Sequence, residues 1–189
     1  MPNWAYNNVT FAHADKAMID RIENSVKTGI LQELIPCPQE LVDTVSGFFG
    51  RDTPEQAALE AQQATNKAKY GYETWYDYCT EEWGTKWDLC DVKVISRTDN
   101  SINIYFETAW SPPIQAFEKL LDLGFSVRAL YNEEQNIWAG IWENGVDTFY
   151  QYDGADEAYE CLPSELDKAF NIVANLEERE TDEDDEDNE

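Results

Sequence analysis

The residues with the richest chemistry fall in one block. Trp83-Gly84-Thr85-Lys86-Trp87-Asp88 sets a cation and an anion, Lys86 and Asp88, among two indoles, and Trp110 follows in a second tryptophan-bearing run. A wall of rings with a few polar groups is what a small-molecule or peptide site requires. The same rings would also serve to pin an insertion onto a sheet, with Lys86 and Asp88 paired locally, since large aromatics usually fill cores. The carboxylate pairs Glu81-Glu82 and Glu133-Glu134 have the residue types for acid–base or metal chemistry. In a chain with 39 acids, however, such pairs arise by chance. His13 has no identifiable nucleophile partner, and neither a Ser-His-Asp pattern nor a phosphate-binding glycine loop is visible. The four cysteines, Cys37, Cys79, Cys90 and Cys161, contain no C-x-x-C pair, so a metal site would need scattered ligands. The expectation is a non-enzymatic protein without catalytic residues, metal or cofactor.

Charge is the stronger signal. Acids outnumber bases 39 to 13, for a net charge of −26; Glu177–Glu189 carry −9 of it, which leaves −17 on residues 1–176. A body this acidic repels nucleic acid and anionic membrane and attracts basic surfaces. Solubility alone would also account for the acidity. The sharper expectation is that a rigid acidic surface occupies the nucleic-acid groove of a partner protein. Its candidate residues are Glu55 and Glu60 on one helix, Glu133 and Glu134 in a loop, Asp153, Asp156, Glu157 and Glu160 in a segment after a hairpin, and Glu177 and Glu178 at a helix end. Tyr105, Trp138, Trp142, Tyr150 and Tyr152 have the types of an RNA-stacking face, but phosphate neutralisation needs bases that this chain lacks. No apolar run approaches the ~20 residues of a membrane span. Met1-Pro2-Asn3-Trp4 leads straight into a strand-like run with no leader pattern, so the expected setting is the cytoplasm, with reduced thiols.

These residues must be positioned by a mixed set of elements. Trp4–Phe11 is β-prone, and a shift of apolar parity between Tyr6 and Val9 suggests a bulge at Asn7-Asn8. Asp15 caps a helix to about Lys27, with Met18, Ile22 and Val26 on one face. Residues 31–41 contain Pro36 and Pro38 and read as an irregular connection. Pro54–Lys69 is rich in Ala, Gln and Glu and reads as an exposed helix. Two strands flank Arg97-Thr98-Asp99-Asn100, and Ser111 with Pro112 opens a helix that Gly124 ends. Phe125–Tyr131 is a further strand. Asn144-Gly145 sets a type I′ hairpin between Ile137–Glu143 and Val146–Tyr152. Ser164 with Asp167 resembles a capping box for a helix presenting Leu166, Ala169, Phe170, Val173 and Leu176. Strand-helix-strand-strand-helix-strand is the order of a split β-α-β, ferredoxin-like α+β fold, an antiparallel sheet with helices on one face. The expected organisation is one domain over residues 1–176, with a helical insertion at about 42–90, an added hairpin and a C-terminal helix, followed by a disordered acidic tail at 177–189. Aromatics left on the outer face of the sheet would allow a homodimer.

Several blocks also carry a resemblance. Met1-Pro2-Asn3-Trp4 with Asn7, Leu34-Ile35-Pro36-Cys37-Pro38, Trp75-Tyr76-Asp77-Tyr78, Trp83-Gly84-Thr85-Lys86-Trp87-Asp88, and Phe106-Glu107-Thr108-Ala109-Trp110-Ser111-Pro112-Pro113 occur in order over about residues 1–145. Together they resemble the Api92-like or YubB ferredoxin-like proteins, a family of unknown function. Ala5 departs from the pattern, where a cysteine is frequent, and the acidic C-terminal extension is peculiar to this chain. The resemblance implies a ferredoxin-like fold without an iron–sulfur cluster and an origin in phages or conjugative plasmids. It implies no activity and no catalytic residue. With the charge, it points to a mobile-element protein that binds and inhibits a host defence or nucleic-acid-binding protein with a basic surface, without touching nucleic acid or membrane itself. The alternative is a small-ligand binder or enzyme built on Trp83, Lys86, Trp87, Asp88 and Trp110.

Overall fold

The computed structural model describes residues 3–135 and 137–186. β1 (Trp4–Ala12) is the central strand of a six-stranded, wholly antiparallel sheet. It buries alternate residues, Ala5, Asn7, Val9 and Phe11, and pairs without interruption on both sides. No bulge occurs at Asn7-Asn8: the buried face includes a polar residue, Asn7, while Trp4 and Tyr6 lie on the other face, so the apolar pattern shifts although the backbone does not. Asp15 caps α1 (Lys16–Ser25) by accepting the Ala17 N–H at 2.9 Å.

The connection after Gly29 is more regular than its prolines suggest. It forms two short helices, α2 (Ile30–Leu34) and α3 (Gln39–Val42), because Pro36 and Pro38 fall between them, where no helical donor is lost. α4 (Pro54–Tyr70) starts at the Thr53 cap, ends at Gly71 and buries only Leu59 and Asn66. α5 (Trp75–Glu82) opens on a Thr74–Asp77 capping box. β2 (Cys90–Arg97) and β3 (Ser101–Ala109) form a hairpin. α6 (Ile114–Asp122) follows; Ser111 does not cap it, its hydroxyl donating instead to the Gly84 carbonyl at 2.8 Å. β4 (Ser126–Glu133), β5 (Trp138–Glu143) and β6 (Val146–Gln151) complete the sheet in the order β2-β3-β1-β4-β5-β6. Asn144 (φ 47°) and Gly145 (φ 94°) make the left-handed turn between β5 and β6.

The C-terminal third departs most from expectation. The segment after β6 forms α7 (Ala155–Cys161). The single expected helix is two, α8 (Ser164–Phe170) and α9 (Ile172–Glu186), broken where Asn171 takes the left-handed conformation that asparagine tolerates. No side chain caps α8; the Asp167 carboxylate instead accepts the Val173 N–H at the start of α9. The acidic stretch from Glu177 to Glu186 continues α9, and residues 187–189 of the expected tail lie outside the described residues. Its first turns are anchored: Arg179 Nη1 donates to the Glu134 carbonyl and Glu180 accepts the Ala155 N–H, each at 2.9 Å.

Helices therefore cover both faces of the sheet, not one. On the first face α1, α2, α3, α5 and α6 pack over Val9, Phe11, Ile104, Phe106, Val127 and Trp142. On the second, α7, α8 and α9 pack over β4 and β5 through Leu130, Ala139 and Ile141, which alternate with the first-face residues. The sequence pattern hides this second core because its helices are short and acidic.

The close approach of β4 to β5 requires glycine at 140. The Tyr131 phenol, whose Oη donates to Asp147 at 2.6 Å, lies across Gly140, and a Cβ there would overlap the ring. Gly140→Ala is expected to destabilise the fold by about 1–3 kcal/mol in urea unfolding, as overpacking does. Burial, with Glu82 adding to it, pushes the Tyr78 phenol up to about 12, and burial with Glu107 does the same to Tyr105. Burial likewise holds Tyr131 and Tyr152 above the ordinary tyrosine value. Raised folded-state values mean stability that is complete below pH ~10 and lost as the pH rises toward those values. Alkaline titration is expected to show delayed tyrosinate absorbance that appears together with loss of secondary structure.

Candidate functional site

A groove of about 520 Å³ opens on the first face, between α2, α3, α5 and the loop that precedes β2. Trp75, Trp83, Lys86 and Trp87 line it, with Cys37 and Cys79 at its floor. The five residues expected to form a ligand site divide into two roles. Trp83 is buried and its indole N–H donates to the Ile35 carbonyl at 2.9 Å, pinning the turn after α2. Asp88 does not pair with Lys86. Its carboxylate accepts the N–H groups of Leu31 (3.1 Å), Gln32 (2.8 Å) and Leu89 (2.7 Å) and so caps α2 from a distant part of the chain.

The remaining three make an exposed ledge at the groove rim. Trp87 and Trp110 are 38% and 45% exposed and stack at 6.5 Å, and Trp4 adds a third ring 6.4 Å from Trp87. The Lys86 ammonium stands 4.5 Å from the Trp87 ring, 5.5 Å from Trp110 and 5.8 Å from Tyr76. Trp110 has φ +70°, an uncommon value for a bulky residue. The conformation is held from three sides: Trp110 N donates to Asn3 O, Thr108 Oγ1 to Ser111 O, and Ser111 Oγ to Gly84 O, each at 2.8 Å.

The acidic candidates also divide. Glu133 is fully buried at the end of β4, where its carboxylate accepts the Gln135 N–H at 3.1 Å; it belongs to no surface. Glu134 is half-buried beside it. Glu55 and Glu60 are exposed on α4, which is tied to the α3 segment by the Asn66–Thr44 hydrogen bond and the Lys69–Glu40 ion pair. Asp153, Asp156, Glu157, Glu160, Glu177 and Glu178 are exposed on or beside α7 and α9, which pack together on the second face. The two groups thus lie on separate helices, α4 and the α7–α9 pair. Among the described residues, seven of the 13 bases, Lys16, Arg21, Lys67, Lys69, Arg97, Lys119 and Arg128, are in ion pairs with other acids. Among the described residues, none of the six acids on or beside α7 and α9 is in an ion pair.

Sequence reasoning missed Trp4, Tyr76 and the Cys37–Cys79 pair, which join from separate elements and leave no local spacing signal. The described residues contain no group of three or more His, Cys, Asp or Glu placed to hold a metal ion, and no helix long and apolar enough to cross a membrane.

Among solved structures, the crystal structure of the protein api92 from Yersinia pseudotuberculosis, assigned to family DUF1281, is similar to this chain. The two share 11% identity over 82% of this chain and 99% of that one, with a TM-score of 0.45. No family model and no curated protein matches the chain.

Removing the distant cap tests the structural role given to Asp88. Asp88→Ala is expected to cost about 0.5–2 kcal/mol in urea unfolding, with the loss confined to an exchange-labile α2 in amide hydrogen exchange.

Proposed function

We propose that this chain is an interaction protein that binds a basic, nucleic-acid-binding groove of a partner through the acidic layer formed by α7 and α9. The observation that carries the reading is the exposed array of Asp153, Asp156, Glu157, Glu160, Glu177 and Glu178 on or beside helices packed to the sheet, none of them in an ion pair among the described residues. A disordered acidic tail would lose ordering entropy on binding, whereas a helix anchored through Arg179 and Glu180 has already been ordered by folding. The strand order β2-β3-β1-β4, with α1 and α6 as crossovers, supports a ferredoxin-like core to which β5, β6 and the C-terminal helices are added. The tryptophan-bearing sequence blocks support placement among the Api92-like proteins. On this reading the chain is a phage or plasmid product that inhibits a host defence or nucleic-acid-binding protein in the bacterial cytoplasm.

A second reading is favoured by the groove, whose volume and aromatic walls suit a small ligand. The two separate cleanly. Affinity capture from host lysate with the tagged chain, at low and high salt, is expected to recover a nucleic-acid-binding partner that DNA or RNA displaces and high salt releases. Capture should be lost when the six carboxylates are replaced by their amides, and kept in the Lys86→Ala, Trp87→Ala variant. The opposite pattern would place the function in the groove. Capture that ignores both salt and the six carboxylates would contradict the acidic-surface reading.

A further inference from the structure

A second cavity on the first face, of about 410 Å³, shares no lining residue with the groove. It opens between the start of α6 and the strands β4, β5 and β6. The register of the sheet builds its walls. Tyr131 pairs with Gly140, and Gly140 pairs with Phe149, so the two rings lie on one face with a glycine between them. Trp138 and Asp147 each stand two residues before one of these positions, on the same face. The Trp138 ring centroid is 5.8 Å from that of Tyr131 and 5.8 Å from that of Phe149. Phe149 belongs to the edge strand β6, packs into neither core and is 55% exposed. Asp147 is the one charged residue among those lining the cavity. Its Oδ1 accepts the Tyr131 hydroxyl at 2.6 Å, and among the described residues it is in no ion pair.

We propose that this cavity binds a small organic cation bearing a quaternary ammonium group, held by the Trp138 and Phe149 rings and the Asp147 carboxylate. Aromatic rings attract a cation through their quadrupoles, and most strongly where water is displaced. A carboxylate with no cation of the protein's own beside it supplies the matching charge. The same walls disfavour the other common cations. A primary ammonium carries three N–H donors and a guanidinium five, and burying them against rings with one partly engaged carboxylate leaves donors without partners. A quaternary ammonium has no donor to satisfy, and its methyl groups suit the apolar wall that Pro112 and Ile114 complete. The net charge of −26 favours the approach of any cation, but the rings and the single carboxylate select this one. The site is separate from both the acidic layer and the groove, so its failure would leave those two readings standing.

The test titrates the full chain with choline at physiological salt and follows the choline methyl resonance by NMR. A parallel titration uses the tert-butyl analogue of choline, in which carbon replaces the nitrogen and the charge is lost. The expected result is saturable binding of one choline per chain, with the neutral analogue about tenfold weaker. Phe149→Leu and Asp147→Asn should each weaken choline by about fivefold to tenfold, while Lys86→Ala with Trp87→Ala, at the rim of the groove, should leave it unchanged. Absence of saturable choline binding would overturn the proposal. So would equal affinity for the neutral analogue, which would make the cavity merely apolar. Choline binding that ignores both Phe149→Leu and Asp147→Asn, or that falls in the groove variant instead, would place the cation elsewhere and overturn it too. The comparison of choline with its analogue needs no substitution, so a folding defect in any variant leaves the proposal testable.

Discussion

The structure depends on a buried polar contact in its central strand. Asn7 points into the first-face core, and its amide donates to Ala5 O at 2.9 Å and Thr108 Oγ1 at 3.0 Å. Thr108 passes the chain on to the Ser111 carbonyl, and Ser111 to Gly84. A buried amide that lost these partners would carry the full desolvation cost, so the network fixes its members in one arrangement. It joins β1 to the end of β3, holds the left-handed turn at Trp110, and reaches the loop carrying Lys86 and Trp87. The sheet and the aromatic ledge are thereby built as one unit.

That network also marks where the sequence was hard to read. Alternation in β3 and β4, the Asn144-Gly145 hairpin, the Asp15 cap and the exposed α4 are all legible because the signal is local: period two, a turn dipeptide, a capping carboxylate, a run of helix formers. Asn7 defeated the parity argument because a polar residue occupies a core position where its amide nitrogen donates to Thr108, about a hundred residues away. Asp88 looked like half of an ion pair with Lys86 because its true partners, the N–H groups of α2, are distant in sequence. Cys37 and Cys79 come to line one groove only once α2, α3 and α5 are packed. The break at Asn171 and the second-face core were missed because α7, α8 and α9 each bury only a narrow stripe.

The distribution of charge follows from the same architecture. Arg97 bridges Asp20 and Glu23 of α1, Lys119 reaches Glu82 of α5, and Arg128 bridges Glu143 and Glu165. These pairs fasten helices to the sheet or to each other. Among the described residues these ion pairs engage none of the six exposed carboxylates on or beside α7 and α9, and Arg179 of α9 is turned to the Glu134 carbonyl. Self-repulsion along these helices is tolerated because Ile172 and Leu176 bury against Tyr152 and Ala158, and because Arg179 and Glu180 bond to neighbouring backbone.

The measurement that tests the acidic-surface account most directly is the salt dependence of binding to the purified partner. It would compare the native chain with a variant in which Asp153, Asp156, Glu157, Glu160, Glu177 and Glu178 become amides. The account predicts that the native affinity falls steeply and linearly in log–log form with salt, and that the amide variant binds weakly with a much shallower slope. Equal slopes for the two proteins would contradict it, since the partner would then be reading some surface other than α7 and α9.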